Sequence, residues 1–143
     1  MDSLKPPPGN DCTSLNSRAR ILIVEDEALL ALETARVLRE AEFRVVGPAR
    51  SVGRALELIK TIGCDAAVLD AMLGSETSEP VARALGDRCT PFVTQSAYSQ
   101  EQLPPVLRCA PFVAKPLRPE HLLVELRRCL KGAPAHDRVQ SAV

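Results

Sequence analysis

Short apolar runs alternate with amphipathic helical stretches along most of this chain, and that rhythm restricts its fold more than any other feature. Residues 20–24 (RILIV) form the first apolar run, and residues 43–46, 66–69, 91–94 and 111–114 repeat it. The runs are largely continuous rather than alternating, as expected of strands buried on both faces. After the first, Ala28, Ala31, Leu32, Ala35 and Leu38 share one helical face, with Glu33, Arg36, Arg39 and Glu40 mostly elsewhere. Ser51 can cap a helix carrying Ala55, Leu58, Ile59 and Ile62, with Gly63 as its stop. Thr77 or Ser78 can start a short helix through Val81, Ala84 and Leu85 that ends near Gly86. Pro119 suits the first turn of a last helix, whose buried stripe is Leu122, Leu123, Leu126, Cys129 and Leu130. Residues 99–103 offer one helical turn, but Pro104 and Pro105 interrupt it. A full fourth helix is not expected. The order β-α-β-α-β-α-β, an irregular segment, then β-α predicts a parallel sheet with helices on both faces.

The 143 residues suit one domain. Residues 1–17 and 132–143 are polar, lack periodicity and read as flexible tails around a domain at 18–131. Lys+Arg and Asp+Glu both number 18, which argues against a broad electrostatic grip on nucleic acid or an acidic membrane. The aromatics are only Phe43, Phe92, Phe112 and Tyr98, too few for a base-stacking platform. There is no apolar run long enough for a membrane span and no signal-peptide pattern, so a cytoplasmic location is the expectation. Cys12, Cys64, Cys89, Cys109 and Cys129 are widely spaced with no CxxC, and read as small buried or half-buried thiols.

In an open parallel sheet, sites form beyond the carboxyl ends of the strands. Glu25, Asp26 and Glu27 follow the first strand, Asp70 the third, Gln95 and Ser96 the fourth, and Lys115 with Pro116 the fifth. Clustered carboxylates repel, which raises a pKa or calls for a cation. Several carboxylates with a carbonyl and water suit Mg²⁺. Such an ion and Lys115 could neutralise an incoming phosphoryl group, with Asp70 as nucleophile and Ser96 donating to a phosphoryl oxygen. Alone, each residue has a plainer explanation: acids favour helix N-termini, and Asp commonly ends a strand. The constellation at one sheet edge carries the argument. Lysines are scarce (Lys5, Lys60, Lys115 and Lys131), which makes Lys115 stand out. His121, beside Glu120, reads as solvent-facing.

The segments ILIVEDEALLA, AAVLDAMLG, PFVTQSAYS and PFVAKPLRPEHLL, in that order and spacing, resemble a response-regulator receiver domain of bacterial two-component signalling. The resemblance covers about residues 18–131 and looks like the short, stand-alone type. It implies a flavodoxin-like doubly wound (βα)5 three-layer sandwich with sheet order 2-1-3-4-5 and helix four shortened or irregular. It implies that Glu25 and Asp26 are the acidic pair holding Mg²⁺, with Asp70 and the backbone carbonyl of Met72. Asp70 becomes the phosphoacceptor, Lys115 its partner, Ser96 the hydroxyl that follows the phosphoryl group, and Phe112 the aromatic switch. The implied partners are a histidine kinase or histidine phosphotransfer protein and a downstream protein, without nucleic acid or membrane, and with room for a homodimer. The protein is expected to catalyse only its own phosphorylation and dephosphorylation.

Some residues depart from the family pattern. Leu73 stands where a proline is frequent, the stretch from Asp70 to Ser96 is short enough to trim helix three, and residues 97–110 are broken by prolines. Two rivals differ in class. An aspartate-nucleophile phosphatase usually carries an acid two residues after the nucleophile, where Met72 stands. A receiver-like module acting without phosphorylation usually loses the aspartate, the acidic pair or the lysine, all present here. Neither GxGxxG nor GxxxxGK[ST] occurs.

Overall fold

The computed structural model describes residues 19–132. Both expected tails and Cys12 lie outside the described residues, apart from Gly132. The elements in chain order are β1 (Arg20–Val24), α1 (Ala28–Glu40), β2 (Arg44–Ala49), α2 (Val52–Thr61) and β3 (Ala66–Asp70). They continue with the short strands β4 (Met72–Leu73) and β5 (Glu76–Thr77), α3 (Glu79–Asp87) and β6 (Phe92–Ser96). A 3-10 turn at Gln100–Gln102, α4 (Pro105–Arg108), β7 (Phe112–Ala114) and α5 (Pro119–Leu130) complete the fold.

The five long strands pair in parallel in the order β2-β1-β3-β6-β7. This is the doubly wound 2-1-3-4-5 order, renumbered because β4 and β5 intervene. One core layer packs Leu22, Val24 and Leu69 against Leu58, Val81, Leu85 and Leu107. The other packs Ile21, Ile23 and Val68 against Leu38, Leu122 and Leu126. Alternate residues of β1 and β3 thus feed opposite layers, which explains why their sequences are apolar throughout.

Several boundaries move. β2 runs on through Gly47 and Pro48 to Ala49 instead of stopping at residue 46, and Phe43 lies just before it. Gly47 has φ +88, and its pairing with β1 shifts register between Leu22 and Val24. Such a bulge on an edge strand tolerates proline, whose missing N–H costs no ladder bond there. β6 extends to Ser96, and β3 includes Asp70, so the strands themselves carry residues expected just beyond them. An antiparallel hairpin, Met72 opposite Thr77 and Leu73 opposite Glu76, fills the space after β3. It was not evident in the sequence because two-residue strands have no readable period.

The helices follow their signals with local corrections. Ser51 caps α2 by accepting a hydrogen bond from the Arg54 N–H at 3.1 Å. The Gly63 N–H, at φ +77, closes that helix onto the Leu58 carbonyl. Ile62, just past the helix, is exposed. In α1 the buried residues are Ala31, Thr34, Ala35, Val37 and Leu38, whereas Ala28 and Leu32 face solvent. In α3, Ala82 is buried and Ala84 only partly so. The Thr77 hydroxyl accepts from the Glu79 N–H, while the Ser78 side chain makes no cap bond. In α5, Leu122, Leu126 and Cys129 are buried, and Leu123 and Leu130 partly so.

After β6 the chain makes its 3-10 turn, and Pro105 then opens α4 instead of only ending a helix. Leu107 is fully buried, and its carbonyl accepts a hydrogen bond from the Thr94 hydroxyl at 2.9 Å. Helix four is therefore short but anchored. Cys129 is buried and Cys64 half-buried, whereas Cys89 and Cys109 are exposed, contrary to the expectation for those two. Burial pushes the Cys64 thiol up to about 11.

Candidate phosphoacceptor site

Every strand end expected to carry chemistry meets at one edge of the sheet. Glu25 follows β1 and extends its pairing, its N–H donating to the Ala49 carbonyl at 2.9 Å. Asp26 comes next, half-buried, at the turn into α1. Asp70 ends β3 level with Gln95 of β6. Ser96 is one residue further along β6, and its carbonyl accepts from the Lys115 N–H at 2.9 Å. Parallel register therefore delivers these groups together.

Glu25, Asp26 and Asp70 each offer a carboxylate oxygen within 4.8 Å of the others. Lys115 enters from the far side. Its Nζ lies 2.9 Å from Asp70 Oδ2 and 3.2 Å from Glu25 Oε1. Glu25 and Asp70 are almost fully buried, and the lysine side chain is 14% exposed. One ammonium thus faces two buried carboxylates. Burial, followed by the neighbouring Asp70, pushes the Glu25 carboxyl up to about 7, against the opposing pull of Lys115. Burial opposes charge on Lys115 as well, yet Asp70 and Glu25 outweigh it and hold that ammonium above its ordinary value. An oxygen-rich acidic cluster that raises the pKa of its own member suits a hard divalent cation, so the residues present fit Mg²⁺.

Of the remaining expected residues, Met72 lies in β4 just after Asp70, Ser96 ends β6 and Phe112 begins β7. The Met72 N–H donates to Asp70 Oδ1 at 3.4 Å, which sets Met72 at the rim. Ser96 is buried, and its hydroxyl accepts from the Tyr98 N–H at 2.9 Å. Phe112 is half-buried against the core layer containing α2, α3 and α4. His121 is exposed on α5, 3.7 Å from Glu125 and outside the strand-end cluster. A groove of about 530 Å³ opens between the hairpin and the segment after β6, lined by Met72, Thr77, Tyr98, Gln102, Leu103 and Pro104. A residue that sequence reasoning missed is Arg50, whose guanidinium bonds the Asp26 carbonyl. No motif marks it.

No family model matches the chain. The transcriptional regulatory protein PdtaR of Mycobacterium tuberculosis is 33% identical over 85 residues, 59% of this chain. That match spans only 42% of the length of PdtaR. The non-phosphorylated receiver domain of HemR from Leptospira biflexa is 27% identical, with TM-score 0.65, over 79% of this chain and 94% of that one. SdrG from Sphingomonas melonis Fr1 is 34% identical, with TM-score 0.67, over 78% of this chain and 98% of SdrG. The chain belongs to the response-regulator receiver family. In this receiver the acidic pair, the strand-end aspartate and the lysine occupy one cluster, in which Glu25 and Asp70 are buried and Asp26 is half-buried. The receiver departs from the simplest version of its fold at the β4–β5 hairpin and the abbreviated α4. No helix among the described residues is long and apolar enough to cross a membrane.

Proposed function

We propose that this receiver is the phosphoacceptor of a two-component phosphorelay, with Asp70 as the phosphorylated residue. The contact between Lys115 and Asp70, set within three converging carboxylates, carries the reading. A histidine kinase or histidine phosphotransfer protein presents phosphohistidine. An Asp70 carboxylate oxygen attacks phosphorus in line. The P–O bond forms as the P–N bond breaks, and the imidazole nitrogen keeps the electron pair. Lys115, already beside Asp70, stabilises negative charge on the transferring group. Glu25, Asp26, Asp70 and the Met72 carbonyl would hold Mg²⁺, which supplies further charge neutralisation at the phosphoryl oxygens when bound.

The new phosphoryl group draws the Ser96 hydroxyl to donate to one of its oxygens, and that hydroxyl, which in the unmodified protein accepts from the Tyr98 N–H, carries the pull to the segment after β6. The segment after β6 then shifts and Phe112 turns further inward, a shift of population between two conformations. The outcome is an altered protein-binding face or onward relay of the phosphoryl group. The receiver acts in the cytoplasm and catalyses only its own modification and its reversal.

The test is incubation with acetyl phosphate, with and without Mg²⁺, followed by intact mass measurement. Wild type should gain one base-labile phosphoryl group that requires Mg²⁺, and Asp70→Asn should gain none. An unmodified wild type would favour a binding module that acts without phosphorylation. An adduct that persists in Asp70→Asn would move the site elsewhere.

A further inference from the structure

Arg50 is the first residue after β2, the strand on the far side of β1 from Asp70. Its Nη2 and Nε donate to the Asp26 backbone carbonyl at 3.0 and 3.2 Å. The neighbouring Glu25 N–H is bonded to the Ala49 carbonyl at 2.9 Å. The end of β2 therefore grips the acidic turn at two successive residues, once through backbone and once through a guanidinium. A Cβ added to Gly74 of the hairpin would stand 3.9 Å from Asp26 Oδ2, an ordinary contact distance, so the hairpin turn lies near that carboxylate while Arg50 holds the backbone of the same residue.

We infer that Arg50 is a positioning residue for divalent-cation binding, holding the turn of Asp26 so that its carboxylate meets those of Glu25 and Asp70. The inference rests on the phosphoacceptor reading of that cluster. Three carboxylates drawn to within 4.8 Å repel one another, and a turn free to move would relax them apart. Two N–H groups aimed at one carbonyl resist that relaxation without occupying a carboxylate oxygen, so the acid stays available to a cation. Arg50 also brings a positive charge, which by itself would repel a cation. Tethering and repulsion therefore predict opposite effects when the guanidinium is removed.

Titration of the full chain with MgCl₂ by calorimetry at constant ionic strength separates them. Arg50→Ala should weaken Mg²⁺ binding by about three- to tenfold, the loss expected for a hydrogen-bonded tether. Arg50→Lys should recover part of it, because an ammonium can keep one bond to the same carbonyl. Unchanged or tighter binding in Arg50→Ala would overturn the tether. Melting temperatures recorded without Mg²⁺ check that the variants stay folded, and Arg50→Met, which keeps the aliphatic stem, replaces Arg50→Ala if that variant does not. Failure of the wild type to bind Mg²⁺ would overturn the metal site as well, whereas normal wild-type binding with an unaffected Arg50→Ala removes only the role of Arg50.

Discussion

Lys115 Nζ and Asp70 Oδ2 lie 2.9 Å apart although 45 residues separate them in the chain. The same ammonium reaches Glu25, so one cation offsets two buried carboxylates. Removing one partner of a buried pair leaves uncompensated charge, at a cost of about 3–5 kcal/mol. The cluster sits at a sheet edge, and carboxyl protonation can relieve part of that cost. Lys115→Ala should therefore lose about 2–3 kcal/mol of stability in urea denaturation without divalent cation. Its rate of modification by acetyl phosphate should fall by about a hundredfold or more.

Glu25 gives a pH dependence of definite sign. Its carboxyl is raised from 4.5 to about 7, so between those values the folded state binds this proton more tightly than the unfolded state. Its contribution to stability is then complete below the lower value and is lost as pH rises through the upper one. Without Mg²⁺, the stability of wild type relative to Glu25→Gln should decline between about pH 5 and about pH 8. Urea denaturation at both ends checks this, and a relative increase would contradict it.

Ser96 separates modification from its consequence. Its hydroxyl accepts from the Tyr98 N–H, in the segment expected to move. Ser96→Ala should still acquire the phosphoryl group, slowed by less than about tenfold, because Asp70 and Lys115 are intact. The change in Tyr98 ring resonances on phosphorylation, read by NMR, should be lost or much reduced.

Thr94 tests the anchoring of α4. Its hydroxyl satisfies the Leu107 carbonyl inside the core. Thr94→Val keeps the shape but leaves that carbonyl without its side-chain partner, at a cost of about 1–2 kcal/mol in chemical denaturation. Modification of Asp70 should persist, since Thr94 lies two residues before Ser96 and bonds away from the carboxylate cluster.

Most of the fold was legible because the strands and helices bury their faces with simple periods. Ile21 and Leu22 feed opposite core layers, so β1 had to be apolar throughout. The Ser51 cap and Gly63 stop were readable because capping chemistry is local. Leu32 misled because it falls near the edge of the stripe marked by Ala31, Ala35 and Leu38, where a small rotation of the helix exposes it. Cys89 and Cys109 misled because a small thiol is tolerated at the surface as well as inside. The hairpin at Met72–Leu73 and Glu76–Thr77 is too short to announce itself.

The site divides in the same way. By itself the sequence determined which residues end the strands, and hence that Glu25, Asp26, Asp70, Ser96 and Lys115 share one edge, because strand polarity in a parallel sheet follows from local pattern and connection. Only the tertiary structure decided that Lys115 touches both Asp70 and Glu25, that Ser96 holds the Tyr98 N–H, and that Arg50 grips Asp26. Those contacts depend on strand order, register and the path of each turn, where a shift of one residue changes which side chains meet. Periodicity reports how deeply a position is buried; it does not specify which distant group will be found there.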